Sequence, residues 1–265
     1  MYHKIVLIFL LFFVLKANSQ NLDSIFNSKK EILKSINNDA KKAKFLFECG
    51  AYFYSKNAVK SEYFFREALL LTEGKDVVTE GRVLFKLGFI EKNKGNLSTS
   101  LRYFNKAKEI FKETNNSESF ASIHFDIGYV YRYKKQIDKE FEFYKKGLKL
   151  SVGEDERLLG KGYLHLGNYY TRLHKLDSSI YYLNKALDVF KKLNKDNRVY
   201  NVYNNLANTY YNKAQYKKVI KIRVLVLEYA KKENNKLLIT VNYHNIAAAY
   251  SKLNKFTVAL KYLDS

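Results

Sequence analysis

The side chains from which chemistry could be built are few and scattered. His124, His165, His174 and His244 lie on different predicted helices with no carboxylate at metal-ligand spacing, so no zinc site or acid–base pair assembles from them. Each is expected on a groove or a surface. Gly153 through Gly162 holds glycines and Lys161, the ingredients of a phosphate-binding loop, but the spacing is wrong and no hydroxyl follows the lysine. That stretch reads as a turn. No serine is accompanied by a recognisable base motif, and the single cysteine, Cys49, excludes an internal disulfide and stands where a small packing residue belongs. No catalytic, metal or cofactor residue is therefore assigned, and the chain reads as a non-enzyme.

Charge is the second source of chemistry. The 265 residues carry a formal net charge of +21, which would suit a polyanion. The excess is spread along the chain rather than gathered in one block. Residues 116–153 hold seven basic and five acidic residues (+2), and residues 195–233 hold nine and three (+6). An export signal also takes the chain away from nucleic acid, which is not expected as a partner. Acidic peptides, glycans or an anionic membrane surface suit the field better. The signal itself is Lys4, an unbroken apolar run from Ile5 to Leu15, and small residues at Ala17 and Ser19. It predicts a signal peptide over residues 1–19, cleaved before Gln20. The product would be periplasmic or extracellular and, having lost Lys4 and Lys16, would carry +19. The apolar run falls short of the roughly 20 residues that span a bilayer, so no transmembrane span is expected after leader removal; an uncleaved anchor is the alternative.

The elements that must position any site are set by repetition. Small residues recur at Cys49, Gly88, Gly128, Gly167, Ala207 and Ala247, at steps of 39 or 40, and each of Cys49, Gly88, Gly128 and Gly167 is followed 19 residues later by Ala68, Ala107, Gly147 and Ala186. Ala207 is followed at the same distance by the larger Val226. Small residues at both points let two helix backbones approach closely. A two-helix unit of this size cannot bury its own apolar face, so copies must stack. Helices are predicted over 39–55 and 58–73, 76–93 and 97–114, 117–134 and 137–152, 156–173 and 177–193, 196–213 and 216–233, and 235–252 and 256–264. Ahead of them residues 20–38 read as a leading helix that covers the first repeat, with Leu22, Ile25, Phe26, Ile32, Leu33 and Ile36 at helical spacing. Most aromatic residues on the second helices, Phe104, Tyr144 and Tyr182 among them, read as core wedges.

Leu87-Gly88, Ile127-Gly128-Tyr129-Val130-Tyr131, Leu166-Gly167-Asn168-Tyr169-Tyr170 and Asn205-Leu206-Ala207-Asn208, each followed by strings such as Ser100-Leu101-Arg102-Tyr103-Phe104-Asn105-Lys106-Ala107, resemble the tetratricopeptide repeat. The resemblance covers roughly residues 38–265 and implies an all-α fold: a right-handed superhelical solenoid of antiparallel helix pairs, about six repeats over residues 39–265, the last incomplete. The period exceeds the family's usual length of about 34 residues and is similar to that of kinesin light chain. The chain has no proline to close each repeat, so nothing in that respect forces the helices to stop. Glu140 and Val219 stand where a small residue is usual and imply a shifted crossing.

The resemblance also implies a ligand face along the first helices. Projected onto it are Arg82, Phe89, Lys92 and Asn93 from the second repeat, Phe125, Tyr129, Arg132 and Tyr133 from the third, and Lys161, Asn168 and Arg172 from the fourth. The fifth adds Asn201, Asn204, Asn205, Asn208, Tyr211 and Asn212, and the sixth His244, Asn245 and Lys252. An asparagine amide donates to and accepts from a peptide backbone at once. Asn205 and Asn245 match one repeat apart, as the asparagines of kinesin-light-chain-type repeats do. A carboxylate clamp of the family's kind is absent, because Leu164, Val241 and Asn245 stand where its basic residues would be. The partner expected is a protein or extended peptide, of acidic character. The leader followed by long repeats also resembles the extracytoplasmic half of Bacteroidetes-type regulators, which keeps open a sensory, ligand-binding role in a truncated histidine kinase or transcriptional regulator.

Overall fold

A computed structural model describes residues 21–264, and among them every regular element is a helix. The expected leader, its cleavage before Gln20 and Ser265 lie outside the described residues. Helix α1 covers residues 21–34. Six antiparallel pairs follow: α2 (Asp39–Phe53) with α3 (Ala58–Thr72), α4 (Val77–Asn93) with α5 (Leu97–Glu113), α6 (Ser117–Tyr133) with α7 (Ile137–Ser151). Next come α8 (Glu156–Arg172) with α9 (Leu176–Lys192), α10 (Asp196–Asn212) with α11 (Tyr216–Lys232), and α12 (Lys236–Lys252) with α13 (Phe256–Leu263). The described residues divide into two compact bodies, residues 21–116 and 117–264. Each is a stack of helix pairs with a tetratricopeptide-like arrangement.

The helices end sharply although proline is absent. After most of them a single residue turns into the left-handed region: Gly95, Lys135, His174, Ala214 and Asn254 inside the pairs, and Gly74, Asn115, Gly153, Asn194 and Asn234 between them. The residue after such a turn then bonds back across the helix end, as Asn96 N–H does to the Glu91 carbonyl (2.9 Å) and Gln136 N–H to that of Tyr131 (3.0 Å). These bonds satisfy carbonyls that the helix leaves open. The expectation that nothing stops the helices is corrected: a left-handed turn residue replaces the proline, and the extra length of each repeat goes into the helices. At several starts an amide or carboxylate caps the helix, with Asn57 accepting from Lys60 N–H and Asp76 from Thr79 N–H.

Inside each pair a side chain of the second helix fills the space that the small residue of the first leaves open. In the first body a Cβ on Gly88 would stand 2.6 Å from the Phe104 ring, and one on Gly50 2.7 Å from that of Phe65. Ser61 and Ser100 close the same crossings, each donating to the carbonyl of the facing glycine, Gly50 or Gly88, at 2.8 Å. Cys49 is buried here and burial pushes its thiol up to about 11, which leaves it protonated and inert at neutral pH. Helix α1 adds Phe26, whose ring packs on Phe53, Tyr63 and Phe64, and an ion pair from Asp23 to Lys60.

The second body repeats the device with Tyr144 against Gly128 and Leu183 against Gly167. Gly147 and Gly162 both face the Phe125 ring, and Gly160 faces Phe190. Phe125, expected on the ligand face, is therefore core: two glycines leave room for its ring beneath that face. Gly160 and Gly162 are likewise helical packing residues of α8, so only the Gly153 end of that stretch is a turn.

Filling the glycine side of a crossing should cost stability. Gly88→Val puts branched atoms into the fully buried Phe104 ring, and a loss of about 1–3 kcal/mol in urea-induced unfolding is expected from overpacking. An unchanged unfolding midpoint would show that the ring is free to move away.

Candidate ligand-binding face

The expected face residues fall in both bodies. In the first, Arg82 lies over the Phe47 ring at 4.4 Å and Lys92 over that of Phe89 at 4.7 Å, while Phe89 meets Phe104 edge-on. These contacts occupy the side chains with one another, and Asn93 beside them is exposed.

In the second body the first helices α6, α8, α10 and α12 present three depressions. One, of about 190 Å³, has Ser122, Lys161 and Arg198 in its wall, with Lys161 Nζ 3.3 Å from Ser122 Oγ and 3.5 Å from Asp126 Oδ1. The next, also about 190 Å³, is lined by Arg132, Asn168, Thr171, Arg172, Asn205 and Asn208. The third is about 230 Å³ and takes in Asn208, Tyr211, Asn212 and Asn245 together with Arg223. Asn208 lines both of the last two, so they adjoin as a trough over α8, α10 and α12.

Several of these side chains are already engaged. Arg172 donates to Glu140 at 2.5 Å, and that carboxylate is 1 % exposed. Glu140 thus occupies the position of Ser61, Ser100 and Ser179 by pairing with a face arginine, and Arg172 is held rather than free. Arg132 lies over the Tyr129 ring, whose hydroxyl is 3.2 Å from that of Tyr133. Asn205 Nδ2 donates to the carbonyl of Asn201 at 3.1 Å, while Asn201 itself is exposed. His244 opens onto a separate, mostly apolar hollow of about 420 Å³ with Phe256 and Leu260, and Lys252 is exposed.

Sequence reasoning missed Arg223. Counting 16 residues on from each crossing residue gives Phe65, Phe104, Tyr144 and Leu183 in the first four repeats, and Arg223 in the fifth. A guanidinium therefore stands in a slot that otherwise holds a ring or a leucine. It is 5 % exposed. Nη1 donates to Asn204 Oδ1 and Nη2 to Asn208 Oδ1, both at 2.6 Å, with Asn242 Oδ1 at 3.5 Å. Burial alone pulls its pKa down from the usual arginine value. The signal was present in the sequence as a charge out of phase with the plug position, but it shows only when second helices are aligned as carefully as first ones.

Two histidines are also corrected. His124 is fully buried with Nδ1 donating to the Phe120 carbonyl at 2.7 Å. His165 is sandwiched between Phe125 and Tyr144, at 5.5 and 4.8 Å between ring centroids. Neither stands free on a groove or surface, because neighbouring aromatic rings take up each imidazole, Phe120 and Phe143 for His124 and Phe125 and Tyr144 for His165. Among the described residues no group of three or more His, Cys, Asp or Glu could hold a metal ion, and no helix is long and apolar enough to cross a membrane.

The family model of the tetratricopeptide repeat matches residues 121–151, which is α6 with α7. Solved structures share the fold. BtubC (BKLC) from P. vanneervenii superposes with a TM-score of 0.67 at 20 % identity over 83 % of this chain and 88 % of that one. A signal transduction ATPase with numerous domains from Pyrococcus horikoshii, PH0952, described as having a tetratricopeptide repeat sensor, gives 0.72 at 17 % identity. That match covers 92 % of this chain but 40 % of the other. A Rap protein complexed with competence and sporulation factor gives 0.65 at 13 % identity, over 93 % and 69 % of the two chains.

The half-buried imidazole of His165, sandwiched between two rings, makes stability depend on pH. Burial, followed by Lys161, Arg132 and Arg198, pushes it from 6.5 down to about 3. Between those values the unfolded chain binds a proton that the native one excludes, so stability is complete above about pH 6.5 and falls as pH drops towards 3. Allowing for the partial exposure of the side chain, acidification from pH 7.5 to 5 should cost about 1–2 kcal/mol through this group. In urea titrations at both pH values, His165→Phe should lose less stability than wild type by that amount. An equal loss in both proteins would assign the acid sensitivity to other groups.

Proposed function

We propose that this chain, which has a tetratricopeptide-repeat match over residues 121–151 and the fold of such repeat proteins, is a non-catalytic scaffold, exported from the cytoplasm, that holds an extended protein or peptide segment. The segment lies along the first-helix face of the second body. The observation that carries this is the row of Asn168, Asn205, Asn208 and Asn245 on three successive first helices, which line the trough. Amides in register along such a row match the alternating donors and acceptors of an extended backbone. The +6 balance of residues 195–233 favours a partner with acidic side chains, and the spread of the remaining excess along the chain gives no comparable support to a nucleic acid. Export rests on the leader pattern of residues 1–19. The Rap protein, captured with competence and sporulation factor, is a protein of similar fold found in a complex.

A second reading is that the chain is the sensory portion of a larger signalling protein, a histidine kinase or transcriptional regulator. Its support is the likeness to the Pyrococcus protein, whose tetratricopeptide repeat is named a sensor. Both readings place the ligand on the same face.

Panning a displayed random-peptide library on the immobilised chain, residues 20–265, should enrich acidic sequences. Asn205→Ala combined with Asn245→Ala should weaken a selected peptide by about 1–3 kcal/mol, the cost of leaving backbone groups unpaired. Thermal melting should stay within a few tenths of a kcal/mol, since neither side chain supports the core. Unchanged affinity in a folded double variant would remove these asparagines from the site.

A further inference from the structure

Arg223 is a buried cation without a counter-charge. Among the described residues it pairs with no carboxylate; its partners are the amide oxygens of Asn204, Asn208 and Asn242, and Nε has none. Glu140, the other charge in a packing position of the second body, illustrates the alternative, because it has Arg172. Burying an ion without a partner is costly, and the four preceding repeats avoid it with Phe65, Phe104, Tyr144 and Leu183 in the same slot. The asparagines compensate in part and also fix the fork, with Asn204 and Asn208 gripping one nitrogen each. The group is then held at the wall of the 230 Å³ depression, which Asn208 and Asn245 also line.

We propose that this depression is a carboxylate subsite, in which the Arg223 guanidinium, set by Asn204 and Asn208, receives an acidic group of the bound peptide. The inference rests on the peptide-binding reading and adds to it one fixed point of charge recognition. A planar guanidinium matches a carboxylate in shape, and a single positive charge among neutral amides matches one negative charge better than the two of a phosphate. The site differs from a clamp built on first helices, since its cation comes from a second helix, α11, through the gap beside Ala207. A carboxylate can originate from a side chain or from a chain end, and both present the same two oxygens.

The test is a titration of the full chain, ¹⁵N-labelled at arginine, with three capped peptides: acetyl-Gly-Glu-Gly-amide, acetyl-Gly-Gln-Gly-amide and acetyl-Gly-Gly-Gly with a free carboxyl end. The Arg223 Nε–H resonance, identified by its loss in Arg223→Met, reads the site. The glutamate peptide should shift it and bind about tenfold or more tightly than the glutamine peptide. A response to the free-ended peptide instead assigns the subsite to a chain terminus and equally supports a carboxylate site. Equal binding of the Glu and Gln peptides, with no response to the free end, would overturn the subsite while leaving the trough intact as a peptide face. Silence from all three, together with a library that enriches nothing, would sink both readings. Arg223→Met adds a second readout: melting at or above the wild-type temperature with the Glu-over-Gln preference gone supports the proposal. A lowered melting temperature with the preference retained would make Arg223 a structural pin and contradict it. Should the variant fail to fold, the resonance is identified by Arg223→Lys and the three peptides on wild type decide.

Discussion

Everything in each body depends on one contact, the approach of a bulky side chain of a second helix to a residue of the first that has little or no side chain. Gly88 with Phe104, Gly128 with Tyr144 and Gly167 with Leu183 leave less than 3 Å for any added carbon. Such a contact brings two backbones close and buries the bulky side chain, and full burial of one such side chain stabilises by about 1.5–3 kcal/mol. It also dictates what the first helix can show elsewhere. With its inner side given to the second helix, its opposite side is left for solvent or a ligand, and repetition aligns those sides from α6 through α8 and α10 to α12.

The two exceptions within the second body show how charge is handled in so tight an interior. Glu140 and Arg223 both stand where the pattern calls for a small or apolar group. Glu140 is neutralised by Arg172, which joins the third repeat to the fourth. Arg223 is met only by amides. A protein that keeps an unneutralised buried ion gives up stability that a leucine or phenylalanine would supply, and such losses concentrate where a ligand is bound.

Much of this was legible in the sequence because repetition averages out local ambiguity. The start of α4 at Val77 lies one residue from its expected place, and α5, α6, α7 and α8 begin where expected. The ends of α4 and α12 fall where expected and the others a residue or two short, since turn residues such as His174, Ala214 and Lys135 take the left-handed conformation with side chains that rarely signal it. The grouping of Asn168, Asn205, Asn208 and Asn245 was also readable, because first-helix positions repeat at a fixed period. What was not readable depends on contacts between helices. Phe125 and His165 carry side chains that suit a ligand face, yet Gly147 and Gly162 open space that draws Phe125 inward, and His165 stacks upon it. Arg172 reads as a free cation until Glu140 is placed beside it.

Each body is therefore a regular stack in which one face is freed by tight packing on the other, and in the second body the fifth repeat departs from the packing rule by holding a fixed, buried positive charge at the wall of a depression. Its central claim concerns where a ligand lies. The most direct measurement is a crystal structure of the chain with a library-selected acidic peptide. The account predicts an extended backbone crossing α8, α10 and α12, bonded to Asn205 and Asn245, with one carboxylate on Arg223. A peptide seated on the second helices, or one crossing the trough with Arg223 still facing only Asn204 and Asn208, would contradict it.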